Sequence, residues 1–449
     1  MADTIELISP PQAPDPSTSD PFGEPIAPVS LGFQILLGLA NAGAIITLIP
    51  VLAVLIPAQA AQIDPINSAR SIALVLALGA AGALIGNPLA GALSDRTTAR
   101  MGRRRPWLLV GMAGAVVGLV MLANSRSITV LATGWVITQF FGNVLLSGFG
   151  AVLPDRVPVV QRGATQAIIG LSSPVAVILS DILFSKVRDM RAAYYPIIAV
   201  MVFTTILFVL RYREPQLPPG RLPPFRLGAF LQSFWISPRA HPRFAKIWIM
   251  WLLVWLGYTL GTGGFFFLYI QNVIRYESLY PGHPAQEAMA ILQILQIAVG
   301  VPLMMAAGIL SDRAGQRKTF VATGIALIGA GYLILIASQS WPMTIVASVT
   351  IGAGFWIFYS LGLAMVSQML PSAADRGKDL GVINIAATLP QMIMPPIGAA
   401  IIHSLGDANP ASYKILFVIG ATAVLLSIAL LRTISKKPLV QPQSETNTV

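Results

Sequence analysis

No cysteine occurs in the 449 residues of this chain. That excludes a disulfide framework, a thiolate zinc site and a cysteine nucleophile. Charge is the second shortage. Only 10% of the residues are Asp, Glu, Lys or Arg, against about 25% in a soluble domain. So few charges cannot coat a surface in water, and with 55% hydrophobic residues the solvent for most of the chain is lipid. Histidine is scarce too: His241, His283 and His403 stand far apart without ligand spacing, so no metal site is expected. There is no Gly-Lys-Ser/Thr phosphate loop, which excludes direct drive by ATP. Nor is there a catalytic dyad or triad, so the expectation is no enzyme and no cofactor.

What is present is a succession of apolar runs. They fall near residues 31–57, 71–94, 106–124, 128–153, 164–185, 192–210, 245–272, 286–310, 319–338, 342–370, 378–403 and 412–431. The runs are long and do not alternate, which predicts helices rather than a transmembrane barrel. The length fits about twelve spans of ~20 residues. Pro50 interrupts the first run, and Pro390, Pro395 and Pro396 fall in the eleventh. Proline within a span often marks a bending point. Residues 1–30 are rich in Pro, Ser and Asp and lack the succession of a signal peptide, so they read as a disordered tail. Residues 435–449 read likewise.

The net charge of +11 would point a soluble protein toward nucleic acid. Here the cations sit in loops beside apolar runs, and no nucleic-acid partner is expected; lipid headgroups are. Placing both chain ends in the cytoplasm puts 22 of the 29 Lys and Arg residues in inside loops and 7 outside. That is the asymmetry the positive-inside rule requires, and it predicts a multi-pass protein of the inner or plasma membrane with both termini cytoplasmic.

The sequence also repeats. Gly91-Ala-Leu-Ser-Asp95-Arg96 returns as Gly308-Ile-Leu-Ser-Asp312-Arg313, 217 residues later. Leu153-Pro154 returns as Leu370-Pro371 at the same offset, and Ser173-Pro174 has its counterpart in Leu389-Pro390. Three landmarks in register predict an all-α membrane fold of two pseudo-symmetric six-helix bundles, residues 31–211 and 244–434, joined by a cytoplasmic linker at 212–243. Parallel repeats of this kind place a solute site near the midplane, between halves that rock against each other.

The loop after the second run reads Asp95-Arg96-Thr97-Thr98-Ala99-Arg100-Met101-Gly102-Arg103-Arg104-Arg105-Pro106. Asp95 ends one helix, Gly102 allows a tight turn, and Arg103, Arg104 and Arg105 open the next helix. A carboxylate there can pair with an Arg or accept from a helix N-terminus, so Asp95, Arg96, Gly102, Arg103, Arg104, Arg105, Asp312 and Arg313 are the expected cytoplasmic gate. A purely topological cluster of arginines is the alternative.

On these residues the chain resembles the major facilitator superfamily. Its usual loop signature is shorter. The displaced Gly-Arg-Arg element is similar to the loop of the glycoside–pentoside–hexuronide cation symporters and the sucrose-type proton symporters, as are Leu153-Pro154-Asp155-Arg156 and the stretch from Asp375-Arg376-Gly377-Lys378 to Pro390. The architectural resemblance covers residues 31–432. It implies secondary transport by alternating access, with the first, fourth, seventh and tenth helices lining a cavity. The chain departs from those relatives in having no Asp, Glu, Lys or Arg inside its first four spans, which puts a cation site of their type in doubt.

One acidic residue lies well inside a predicted span: Asp181, in the fifth. An ionisable residue there is a functional candidate, here a proton carrier, although Lys186 and Arg188 follow and a solvated helix-end charge is the plainer reading. Neutral polar residues are more telling. Gln139, Asn143 and Ser147 share a face of the fourth span, and Asn384, Thr388 and Gln391 share a face of the eleventh. Gln34 and Asn41 lie on the first, Tyr258 and Thr262 on the seventh. Aromatic residues gather in the seventh and tenth. Asn41, Gln139, Asn143, Tyr258, Trp356, Tyr359 and Asn384 are the expected solute contacts. Amides supply paired donors and acceptors, and rings stack on a sugar's C–H face. Interhelical hydrogen bonding and lipid contact are the alternatives.

The leading expectation is a monomeric symporter for a neutral sugar or glycoside, with H+ as coupling ion. The absence of interior Arg or Lys argues against an anionic solute. Two rivals stay open: efflux of an apolar or amphipathic compound, and a non-transporting assembly or pigment-handling factor.

Overall fold

A computed structural model describes residues 25–434 except 186–188, 190, 215, 217–227, 229–238, 240, 263 and 369–375. The expected tails at 1–24 and 435–449, most of the 212–243 linker, and Leu370, Pro371 and Asp375 lie outside the described residues. Among the described residues there is no strand, and eleven helices are long and apolar enough to cross a membrane. A further crossing is assembled from two shorter apolar helices, giving the expected twelve.

The first span is the assembled one, Leu31–Ile45 followed by Ile56–Ile63. Pro50 has no N–H to offer the Ile46 carbonyl, so the regular ladder stops. A turn and a π-helical stretch, Val51–Leu55, bridge the gap. The second span is Ser68–Ser94, the third Arg105–Ala123 and the fourth Ile128–Arg156. The fifth is broken into Val159–Gly170 and Ser172–Ser185, for the same reason: Pro174 cannot donate to Gly170. Ser172 Oγ donates instead to the Gly38 carbonyl, 2.8 Å away, tying the break to the first span. The sixth span is Tyr194–Arg211.

The second half repeats this plan. The seventh span runs as Pro242–Thr262 and Gly264–Tyr269 into a π-helical stretch, Ile270–Ile274. That stretch corresponds in position to the one in the first span. The eighth is Ala285–Ala314, the ninth Arg317–Ala337, the tenth Trp341–Gln368, the eleventh Arg376–Leu405 and the twelfth Pro410–Arg432. The three prolines of the eleventh are accommodated within one continuous helix.

Packing orders the six spans of each half identically. In the first half, neighbours run second, fourth, third, sixth, first, fifth; in the second half, eighth, tenth, ninth, twelfth, seventh, eleventh. The third and sixth spans therefore close the back of the first half, and the ninth and twelfth close the back of the second. The halves meet along two seams, the second span on the eleventh and Ser172–Ser185 of the fifth on the eighth. The first, fourth, seventh and tenth spans are left facing the space between the halves.

Hydrogen bonds fix which ends lie together. Ser68 Oγ donates to Asp407 Oδ2 across the halves at 3.1 Å, so the start of the second span and the start of the twelfth share one end. At the other end of the twelfth, Lys318 Nζ donates to the Arg432 and Ile434 carbonyls. Asp95 and the 312–318 turn are thus at the same end. Val29 exchanges hydrogen bonds with Gln161 just beyond the fourth span, which brings the first described residues to that end as well. On the opposite side, Gly264 of the seventh span packs on Pro57, Ile72 and Leu76 of the first half.

Inside a bilayer there is little hydrophobic drive between helices, and close contact depends on small residues. A Cβ on Gly86 would stand 2.5 Å from the Phe140 carbonyl oxygen of the fourth span, and one on Gly324 would stand 2.8 Å from the Gly354 carbonyl of the tenth. Gly150, also on the fourth span, has nothing within 4 Å of the same position. Gly86→Ala is expected to cost roughly 1–3 kcal/mol of stability by overpacking. Gly150→Ala should be neutral or slightly stabilising, by up to about 1 kcal/mol. Thermal unfolding of both variants in one detergent measures the contrast; equal midpoints would contradict the close approach.

Candidate functional site

The loop between the second and third spans closes around one guanidinium. Arg104 is 4% exposed. Its Nη2 lies 2.5 Å from Asp95 Oδ1, its Nε donates to Asp155 Oδ2 at 2.8 Å, and its Nη1 donates to Ser94 Oγ at 2.5 Å. Arg103 adds a second contact to Asp155 at 3.3 Å. Burial opposes the charge on Arg104, but Asp155 and Asp95 outweigh it and raise its pKa above the ordinary arginine value. The fork of an arginine suits this place because its fixed donors reach three partners at once.

A third carboxylate secures the turn from behind. Glu214 Oε1, three residues beyond the sixth span, accepts the backbone N–H of Arg104 and that of Arg105. Tyr212 OH donates to its other oxygen at 3.1 Å. An acid is favoured there because these N–H groups open the third span, at the positive end of its dipole. Gly102 makes room for it. Its φ is +96°, and a Cβ would collide with the Glu214 side chain. Arg96 donates to the Ala92 carbonyl at 2.8 Å. In the second half, Gly315 at φ +63° ends the eighth span, Arg313 is exposed, and the Asp312 side chain lies outside the described residues.

The expected partner of Asp95 was an arginine or a helix N-terminus; the structure gives it Arg104 of its own loop. Asp155 and Glu214 were not among the expected gate residues. Asp155 sits in the quoted Leu-Pro-Asp-Arg motif, which carried a signal. Glu214 stands alone in a proline- and arginine-rich stretch, and no local pattern marks it.

Between the halves, the fourth span presents Gln139 and Asn143 one turn apart. Asn143 Nδ2 donates to the Gln139 carbonyl at 2.8 Å and to its Oε1 at 3.3 Å. Asn143 Oδ1 and Gln139 Nε2 are left as an open acceptor and donor among the described residues. Gly82 of the second span packs beside Val136, Gln139 and Phe140, and Leu48 of the first packs on Gly142. Gln139 is buried and Asn143 half-buried. Asn41 is buried on the first span, 8% exposed.

Across the enclosed space, aromatic rings fill the gap between the seventh and tenth spans. Tyr258 stacks on Phe355 with centroids 3.6 Å apart and planes at 13°. Trp255 stands edge-on to Phe355 at 5.2 Å and to Tyr258 at 5.8 Å. Tyr359 lies nearly parallel to Phe355 at 5.8 Å and edge-on to Trp251 at 5.9 Å. Trp251 is 1% exposed, whereas Tyr359 is 41% exposed. With the ninth and twelfth spans closing the back, the open ring faces the front. Tyr258 and Tyr359 are therefore brought together, through Phe355 and Trp255. Trp356 turns to the eighth span, where its ring lies over Gly300. Asn384 is exposed on the eleventh, and its carbonyl accepts the Thr388 hydroxyl at 2.9 Å. The side chains of Asp181 and Thr262 lie outside the described residues.

A family model described as the Major Facilitator Superfamily matches residues 31–304 and 283–448. The sucrose transport protein SUC4 of Arabidopsis thaliana is 22% identical over 427 residues, covering 79% of this chain and 82% of that protein. Proton-associated sugar transporter A of Mus musculus is 47% identical over 68 residues, which is 15% of this chain and only 9% of that relative's length. Among solved structures, the nucleoside transporter NupG superposes with a TM-score of 0.67 at 12% identity, over 91% of this chain and all of that one.

The cage predicts an order of effects. The Asp155 side chain is 18% exposed and that of Asp95 is 50% exposed. Asp155→Asn, which leaves buried Arg104 short of its inner partner, is expected to cost about 3 kcal/mol of stability. Asp95→Asn should cost under about 1 kcal/mol, because water screens that pair. Thermal unfolding of the two variants side by side tests this; a larger loss for Asp95→Asn would overturn it.

Proposed function

The chain belongs to the Major Facilitator Superfamily, as its motifs led one to expect, and from that premise we propose that it carries a neutral sugar or glycoside by alternating access, driven by protons. It is a multi-pass membrane transporter and not an enzyme. The observation that carries the finer reading is the open amide donor and acceptor of Gln139 and Asn143, set across the enclosed space from the rings of the seventh and tenth spans. A hydroxyl both gives and takes a hydrogen bond, so a polyhydroxylated solute fits a paired donor and acceptor. The likeness to a sucrose transport protein and to a proton-associated sugar transporter supports the same class. The halves are tied at the end away from the Asp95 loop by Ser68–Asp407 and the Gly264 packing, an arrangement suited to opening at the other end. Asp181 is the proposed proton carrier, the Arg104 cage the rigid element of the cytoplasmic gate, and the cytoplasm the proposed side of both termini. Export of an apolar compound is a second reading, favoured by the same rings; it makes the amides dispensable.

Uptake of radiolabelled sugars into proteoliposomes, with and without an imposed proton gradient, tests the proposal. Accumulation should follow the gradient. Asn143→Ala should weaken solute affinity about tenfold to a hundredfold, since a buried solute hydroxyl loses its partner. Asp181→Asn should abolish accumulation and spare exchange. Unchanged affinity in Asn143→Ala would favour apolar export, and unchanged accumulation in Asp181→Asn would remove the proton role of that residue.

A further inference from the structure

The two halves offer unlike surfaces to the space they enclose. The first half contributes the Gln139–Asn143 amide pair, with an acceptor and a donor unfilled among the described residues. The second half contributes rings. Tyr359 exposes 41% of its surface while Trp251 behind it is buried, so the cluster presents a broad aromatic face with firm backing. Trp255 and Tyr258 are half-buried beside it, while Phe355, nearly parallel to both tyrosines, is buried and backs the face. A free sugar has hydroxyls over most of its periphery and would meet the amides well, but it could use only one C–H face on so large an aromatic wall. A purely apolar guest would meet the wall and leave the amides unfilled, which costs free energy in a site shut off from water.

We propose that the preferred solute is a glycoside with an aromatic aglycone, its sugar held by Gln139 and Asn143 and its ring stacked on Tyr359. This rests on the sugar reading above and deepens it. The flat group adds an offset or edge-to-face ring contact of the kind these side chains already make with one another.

The test uses purified full-length protein and pairs of ligands that differ only in the aglycone: phenyl and methyl glycosides of glucose, galactose and xylose, in both anomers, with benzyl alcohol as the ring alone. Thermal-shift titrations give the half-saturating concentrations. For the sugar the protein accepts, the phenyl glycoside should bind about tenfold more tightly than the methyl glycoside. Tyr359→Leu should remove that advantage, weakening the phenyl glycoside about tenfold more than it weakens the methyl glycoside. Asn143→Ala should weaken both by the same factor. Equal binding of phenyl and methyl glycosides by the wild-type protein would overturn the inference and leave the sugar reading standing. Benzyl alcohol binding as tightly as any phenyl glycoside would overturn both in favour of an apolar guest. No shift with any of these ligands would likewise overturn both. The wild-type comparison decides the matter even where a variant fails to fold.

Discussion

Water is missing from the bilayer core, so every backbone N–H and C=O in this chain must be satisfied from within. The rest of the architecture depends on that constraint. It makes each span a helix, and the few polar side chains near breaks and ends link one span to the next. Where Pro174 interrupts the fifth span, Ser172 Oγ turns to the Gly38 carbonyl and the break becomes a link between spans. Gln59 serves similarly at the far end of the first half, donating to the Leu122 carbonyl and Ser125 while accepting from Tyr194 OH. Since apolar side chains gain little by leaving lipid for one another, the spans are held by close approach at glycines and by these few polar ties.

Apart from Asp181, charge is gathered near the ends of the spans, and the largest concentration is spent on one turn. Arg104 is bound by Asp95, Asp155 and Ser94, and its backbone by Glu214. These groups come from the second, third and fourth spans and from the segment leaving the sixth. The cage therefore welds one end of the first half into a single body, which is what a half that rotates as a unit requires. All these partners lie within the first half. The described ties between halves are placed at the opposite end, at Ser68–Asp407 and around Gly264.

The interior follows from the same division of labour. With charge nearly absent from it, the proposed selectivity rests on amides and rings. The family and the fold are common to carriers of many solutes, and the likeness to NupG at 12% identity speaks only for the fold. Site chemistry, not the bundle, has to distinguish them. Here the amides belong to one half and the rings to the other, so a solute that touches both would bridge the two halves.

The sequence alone determined the solvent, the number of spans and their pairing into halves. Composition, period and repeat are local or one-dimensional quantities, and lipid leaves helices little choice. It also supplied Gln139 with Asn143, which sit one helical turn apart, and Tyr258 with Tyr359, which share residue type and lie on the seventh and tenth spans. Tertiary structure alone decided the rest. Trp356 and Tyr359 are three residues apart and chemically alike, yet one packs on Gly300 of the eighth span and the other faces the interior, because the rotation of the tenth helix is set by its neighbours. Pro50 and Pro174 break their helices, whereas Pro390, Pro395 and Pro396 do not, since the outcome depends on what surrounds the freed carbonyls. Glu214 reaches Arg104 across 110 residues of chain, and only the approach of the sixth span to the third could bring them together.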